Sequence, residues 1–291
     1  MGIDQVAVLG GGLMGSGIAE SVARAGLGVV VRDVDATAYE AARSRIEGSL
    51  GRARRGGKID DAEYDQVLPR IAYTDDLADL ADADLVIEAV PENAELKAGI
   101  LAQVAGIVSE EALIASNTSS IPIAQLAGGL PHPDRVLGLH FFSPVPVMGL
   151  VEVVLALDTS EDTAAAAQGF VERIGKQAIR TKDRSGFIVN MLLVPYLMAA
   201  VRMYEEGFAT AEDIDEGMKL GCGHPMGPLT LADFIGLDVL YAIGDSLYEE
   251  FKQTEYAPPP LIKRMVASGR IGRKACRGFY EYERERAAAS A

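Results

Sequence analysis

The sequence predicts an α/β protein in which a doubly wound sheet over residues 1–184 is followed by an all-helical part over residues 185–291. Three observations predict it. A β-branched run at residues 6–9 ends in a cluster of glycines and passes into a segment with helical apolar spacing. Short apolar runs then alternate with longer segments as far as residue 181, the pattern of a sheet wound by crossover helices. Beyond Arg184 only helical patterns remain.

The elements follow in order. Residues 6–9 read as a buried strand, 16–25 as a helix stopped by Gly26, and 29–31 as a second strand closed by Arg32 and Asp33. Such a βαβ unit winds right-handed into a parallel sheet. An insertion comes next: a helix at 36–50, with Arg43 and Glu47 one turn apart, then a basic turn of Arg52, Arg54, Arg55, Gly56, Gly57 and Lys58, then a helix at about 61–68. Further strands are expected at 85–90, 113–116, 136–139, 151–155 and 177–181. In the second part a helix covers 190–206. Thr210 opens another, with Asp213 three residues on in the manner of a capping box. Residues 229–251 form a helix broken near Gly236, and Pro258 to Pro260 start a last helix that ends near Gly269.

Composition narrows the function classes. A chain of 291 residues suits two domains of unequal size. An apolar fraction of 49% with 24% charged residues fits a soluble globular protein. The net charge of −15 argues against nucleic acid and anionic membrane as partners, although a local basic patch can still meet an anionic ligand. Cys222 and Cys276 lack metal-type spacing, so no metal and a reducing cytoplasm are expected. The first residues carry no signal-peptide pattern. The most apolar run, residues 187–201, contains Asn190 and Pro195 and falls short of the ~20 residues a membrane span needs. It reads as a buried helix at a domain junction.

Two groups of residues point to chemistry. Gly10, Gly12 and Gly15 form a G-x-G-x-x-G between a strand and a helix. One glycine makes the tight turn, one lets backbone approach a pyrophosphate, and one lets helix pack on strand. The helix N-terminus at Leu13 and Met14 then faces the phosphates. Asp33, at the end of the next strand, is placed to accept the adenosine ribose hydroxyls and to repel a 2′-phosphate. The context is a Rossmann-type dinucleotide site that favours NAD over NADP. Arg32, beside Asp33, is the one residue there that suits a phosphate. The second group is His140 and Glu152, at the ends of neighbouring strands. A carboxylate beside a histidine fixes its tautomer and stabilises its protonated form, as removal of a hydroxyl proton requires. From spacing alone, a core histidine bonded to a backbone carbonyl is the favoured reading. His132 and His224 sit in proline-flanked turns and read as structural or solvated.

Seven segments carry a resemblance: residues 10–19 (GGGLMGSGIA), 88–93 (EAVPEN), 116–120 (SNTSS), 138–148 (GLHFFSPVPVM), 186–190 (GFIVN), 225–228 (PMGP) and 278–280 (GFY). In series they resemble the short-chain 3-hydroxyacyl-CoA dehydrogenases, specifically those acting on 3-hydroxybutyryl-CoA. The resemblance runs from Val6 to about Tyr282. It implies reversible, NAD-dependent oxidation of (S)-3-hydroxybutyryl-CoA to acetoacetyl-CoA by a homodimer.

It also implies residue roles. His140 is the base and Glu152 its partner; Ser119 bonds the 3-oxygen, and Asn190 holds the oxygen or the thioester end. Asp33, Glu92, Lys97, Asn117, Ser119 and Lys274 fall to the cofactor. Ser143 stands where many relatives carry asparagine, on the nicotinamide side. Ala275, Cys276 and Arg277 replace the usual threonine and glycine before GFY, which bears on Lys274. Ser49, Arg55 and Lys58 are candidates for the CoA nucleotide, whose phosphates suit basic side chains.

Without the resemblance the readings are plainer. Glu92 and Lys97 become a solvated helix face, Ser119 a turn or capping serine, Asn190 a helix-start cap, and the basic turn a solvated corner. Leu229, Leu231, Phe234 and Leu237 are the apolar residues that a small helical domain would leave for a second copy.

Three other functions compete. One is a dehydrogenase of a carrier-protein-bound hydroxyacyl thioester. Another is a non-catalytic NAD-binding protein, which has no need of Ser119, His140, Glu152 and Asn190 together. The third is a free β-hydroxyacid dehydrogenase, which usually needs a lysine in the bridging helix; here none occurs from Asn190 until Lys219.

Overall fold

The computed structural model describes residues 2–283, and the chain divides between Arg184 and Ser185 into two compact units. The first contains β1 (Gln5–Leu9), α1 (Leu13–Arg24), β2 (Gly28–Arg32), α2 (Ala36–Arg55), α3 (Asp61–Val67), β3 (Ile71–Thr74), β4 (Leu85–Glu88), α4 (Ala94–Ala105), β5 (Leu113–Ser116), α5 (Ile123–Ala127), β6 (Val136–Phe141), β7 (Leu150–Leu155), α6 (Glu161–Arg173) and β8 (Gln177–Lys182). The second contains α7 (Val189–Glu205), α8 (Ala211–Cys222), α9 (Pro228–Ile235), α10 (Leu237–Phe251) and α11 (Pro260–Ala267).

The eight strands form one sheet in the order β3-β2-β1-β4-β5-β6-β7-β8, with helices on both faces. β1 to β6 run parallel, and the order reverses direction between β1 and β4. In such sheets the ligand crevice lies outside the carboxyl ends of the strands at that switch. The central strands are apolar on both faces because both are covered; Val6, Val8, Val31, Leu85 and Ile87 all lie in the core with Ile18 and Val22 of α1.

β7 departs from the doubly wound pattern. Residues 142–149 are all that join it to β6, too few for the crossover of about a dozen or more residues that a parallel neighbour needs. It pairs antiparallel, and His140 meets Glu152 as its direct register partner. β8 returns parallel to β7 through α6.

Two features of this unit differ from the sequence reading. β3 was not foreseen: it has four residues, only one of them buried, at the sheet edge, which leaves no clear periodicity. Arg52, Arg54 and Arg55 form the last turn of α2 rather than a turn beyond it, where their charge complements the helix dipole. Arg54 stacks over Tyr64 and pairs with Asp61, so part of this cluster serves the α2–α3 corner.

In the helical unit Thr210 caps α8 by accepting the Asp213 N–H at 3.1 Å, and the chain breaks between α9 and α10 at Gly236, whose φ is 102°. Two buried acids fasten the rest. Asp215 accepts the Leu229 and Thr230 N–H groups at the start of α9 and the Tyr280 hydroxyl. Asp233 accepts the N–H groups of Phe279 and Tyr280 and the Tyr282 hydroxyl, and burial raises its carboxyl above the usual range.

Leu229 and Leu237, expected on an uncovered face, are instead fully buried with Leu197, Leu240 and Leu247; Leu231 packs partly buried against this core. The exposed large apolar side chains of this unit include Leu192, Phe208 and Leu220. Among the described residues no helix is long and apolar enough to cross a membrane.

Candidate active site

The glycine turn is built by steric need. Gly10 has φ +92°, and a Cβ there would lie 2.8 Å from the Ala89 carbonyl oxygen. A Cβ on Gly15 would stand 1.8 Å from the Gly10 oxygen, so only glycine lets α1 start this close to the turn. A Cβ on Gly12 would meet nothing within 4 Å. No side chain caps the helix at Gly12, so the first-turn N–H groups at Leu13, Met14 and Gly15 present their partial positive charge. This open, uncapped helix start fits a dinucleotide pyrophosphate.

Asp33 is fixed by the same turn. Its Oδ2 accepts the Gly11 N–H and its Oδ1 the Val34 N–H, each at 2.8 Å. Each oxygen keeps a second lone pair for a ribose hydroxyl. The Gly11 carbonyl in turn accepts Ser16 Oγ at 2.8 Å and Arg45 Nη1 at 3.0 Å. Arg32 Nε donates to the Asp75 carbonyl at 3.2 Å, so this guanidinium is engaged with backbone at the end of β3.

Across the switch, Glu88 ends β4 fully buried. Its Oε1 accepts Lys97 Nζ and the Val90 N–H, each at 2.7 Å, and its Oε2 accepts Ser116 Oγ at 2.5 Å. Lys97 Nζ also reaches the Val90 carbonyl at 3.1 Å and Glu92 Oε2 at 3.2 Å. Lys97 is only 1% exposed, so the solvated-face reading fails for it, while Glu92 remains open to solvent. Glu92 Oε1 accepts Thr118 Oγ1 at 2.5 Å, the Ser119 N–H at 3.1 Å and Ser120 Oγ at 3.0 Å. Burial alone would raise the Glu92 carboxyl; the Lys97 ammonium and these hydrogen bonds outweigh it and hold the acid below its ordinary value.

The third group stands at the ends of β5, β6 and β7. His140 Nδ1 lies 2.6 Å from Glu152 Oε2, and the Glu152 side chain is fully buried. Asn117 Oδ1 accepts the Phe141 N–H at 2.9 Å, tying the end of β5 to the strand that carries His140. Ser119 is no helix cap, since α5 starts at Ile123 after Pro122. Ser143 is exposed and joins Pro144 through a cis peptide.

On α2, Ser49 bonds inward to the buried Glu20, whose carboxyl is raised by that burial despite Ser49 and the charges of Arg24, Arg52 and Lys176. Arg55 and Lys58 are exposed.

Asn190 and Lys274 belong to the helical unit. Asn190 is the second residue of α7 and Ile188 occupies the capping position, which removes the helix-cap reading. Lys274 Nζ pairs with Asp238 Oδ2 at 2.7 Å. His224 Nδ1 lies 3.1 Å from the Tyr196 hydroxyl, in keeping with a structural histidine. Among the described residues no group of three or more His, Cys, Asp or Glu could hold a metal ion.

Known proteins match this chain over nearly its whole length. Residues 5–184 match the family model for the 3-hydroxyacyl-CoA dehydrogenase NAD binding domain, and residues 186–282 that for the C-terminal domain of the same enzymes. The chain belongs to the 3-hydroxyacyl-CoA dehydrogenase family. It is 51% identical over 282 residues to the 3-hydroxybutyryl-CoA dehydrogenase of Mycobacterium tuberculosis strain H37Rv, covering 96% of this chain and 99% of that protein. The crystal structure of M. tuberculosis FadB2 superposes with a TM-score of 0.96 at 51% identity, covering 97% of this chain and all (100%) of the other. That of (S)-3-hydroxybutyryl-CoA dehydrogenase PaaH1 from Ralstonia eutropha gives 0.92 at 45%, over 97% and 100%.

As a 3-hydroxyacyl-CoA dehydrogenase the protein takes NAD as its cofactor. Among the residues that sequence reasoning did not single out in this dehydrogenase are Glu88, Ser116 and Thr118, which hold Lys97, Glu92 and the Ser119 loop in place. A signal for Glu88 existed: it is the lone acid closing an otherwise apolar strand.

Proposed function

We propose that the protein is an NAD-dependent 3-hydroxybutyryl-CoA dehydrogenase that interconverts (S)-3-hydroxybutyryl-CoA and acetoacetyl-CoA. The observation that carries the reading is the contact of His140 Nδ1 with the buried Glu152 carboxylate at 2.6 Å. A carboxylate on Nδ1 keeps the proton there and leaves Nε2 as the basic nitrogen. In the oxidative direction His140 Nε2 takes the proton of the 3-hydroxyl as the C3 hydride departs, and Glu152 stabilises the resulting imidazolium. Bound NAD supplies the hydride acceptor. In reduction His140 returns the proton to the 3-oxygen. Ser119 is assigned to that oxygen and Asn190 to the thioester end; Asp33, Glu92, Lys97, Asn117, Ser143 and Lys274 are assigned to the cofactor, directly or by holding its loops. Arg55 at the end of α2 and Lys58 in the turn that follows, both exposed and basic, suit the phosphates of CoA.

The same reading makes the protein a cytoplasmic homodimer joined through its helical unit. Leu192, Phe208 and Leu220 of that unit are 73%, 79% and 83% exposed, which favours a partner. Light scattering at micromolar concentration checks the dimer, and a monomeric mass overturns it.

The deciding experiment compares steady-state reduction of acetoacetyl-CoA, longer 3-oxoacyl-CoA thioesters and carrier-protein thioesters with NADH. The highest kcat/KM is expected on acetoacetyl-CoA. A preference for the carrier-protein substrate overturns the CoA assignment.

A further inference from the structure

The geometry points to Lys176 as a positioning residue of the active site, clamping the turn between the strands of His140 and Glu152 and thereby setting the cofactor affinity of that turn. Lys176 stands between α6 and β8, and its Nζ donates to the Val145 carbonyl at 2.6 Å and to the Met148 carbonyl at 2.8 Å. Those two carbonyls belong to a tight turn in which the Val147 and Met148 N–H groups both bond to the Pro144 oxygen. The neighbouring Gln177 N–H takes the Gly149 carbonyl at 2.7 Å, so the start of β8 closes the far end of the same turn.

From the other side the turn rests on α1. Val145 is 2% exposed, and a Cβ on Gly17 would stand 2.9 Å from the Val145 Cβ. The turn is thus held between a charged donor and a glycine face. An ammonium partly withdrawn from water is costly unless it is paired, and an apolar side chain would fill the space at no such cost. What the lysine adds is direction, since its two bonds fix the turn at both of its carbonyls. His140 and Glu152 are held to each other by the strand ladder and do not depend on the clamp. Ser143, just ahead of the turn, does.

The inference rests on the proposed NAD-linked activity and is tested partly outside it. The NADH dissociation constant, read by fluorescence, needs no acyl substrate; it therefore reports on Lys176 even if wild-type enzyme fails to reduce acetoacetyl-CoA, a failure that would sink the activity reading alone. In Lys176→Met, the dissociation constant and KM for NADH are expected to rise about three- to tenfold, the loss of one or two hydrogen bonds. At saturating NADH, kcat and the KM for acetoacetyl-CoA should stay within about twofold, and Lys176→Arg should recover part of the affinity. Gly17→Ala, which pushes the turn from its other face, should weaken NADH in the same direction; if Lys176→Met does not fold, that variant decides. NADH affinity at the wild-type value in the folded variants overturns the inference. So does a fall in kcat alone with both KM values unchanged, the mark of a merely smaller folded fraction.

Discussion

Asp33 and Gly11 are bonded to each other across the glycine turn, with Oδ2 2.8 Å from the amide nitrogen. The acid cannot swing aside without losing that bond and the one from Val34. A 2′-phosphate would therefore meet a fixed negative charge. NADH should be preferred to NADPH by at least about tenfold in kcat/KM, and Asp33→Ser should shrink the preference. Equal rates of the wild-type enzyme with both cofactors would defeat this.

His140→Ala should lower kcat for acetoacetyl-CoA reduction by about 10²–10⁴, the usual worth of a positioned general acid. Glu152→Gln should be milder, because an amide can still hold the ring but does not stabilise the imidazolium. Neither change should move the NADH dissociation constant by more than about twofold, since both residues lie away from the glycine turn. Near wild-type turnover in His140→Ala returns His140 to a structural role.

Lys97→Met leaves the Glu88 carboxylate with Ser116 and the Val90 amide but no counter-charge, at a site where both side chains are 2% exposed or less. Removing one partner of such a pair typically costs about 3–5 kcal/mol. Urea denaturation should show that loss in the variant, and a drop below about 1 kcal/mol would mean that Glu88 finds other compensation. Lys97→Met with Glu88→Gln should recover part of it.

Glu92 supplies a pH test. Its folded-state acidity lies below the ordinary glutamate value, so its contribution to stability is fully present above the unfolded value of about 4.5 and is lost as pH falls through the depressed folded value. Glu20 and Asp233 are shifted the other way and favour the folded state on protonation, which makes the difference between proteins the useful quantity. The stability gap between wild type and Glu92→Gln should narrow as pH drops from 6 through about 4.5 and below. A gap that stays constant over that range rules out the charge-based account.

Much of the first unit was legible because its signals are local. The glycine turn, Asp33 and the strands of β1, β4 and β5 follow from periodicity and from residue types that sterics impose. What escaped was set by tertiary packing. A lysine on α4 reads as solvated until the chain places Glu88 beneath it, and β3 has too few buried positions to announce itself. Leu229 and Leu237 read as surplus apolar surface because nothing local says that they share a core with Leu197 of α7 and with Leu240 and Leu247 of α10. Lys176 likewise gives no signal, since its partners are backbone carbonyls about thirty residues away, invisible in side-chain chemistry.

The antiparallel pairing of β6 with β7 has a consequence for how the chain acquires its chemistry as it folds. His140 and Glu152 are 12 residues apart, so bringing them together closes a short loop at small entropic cost, on the microsecond scale of a hairpin. β1 and β4, which frame the glycine turn, are separated by the whole span from Leu9 to Leu85 and pay a far larger closure cost. The proton-handling pair is expected to form as a local event, ahead of the crevice that receives the dinucleotide. Pulse-labelled hydrogen exchange during refolding should find the β6–β7 amides protected before those of β1 and β4.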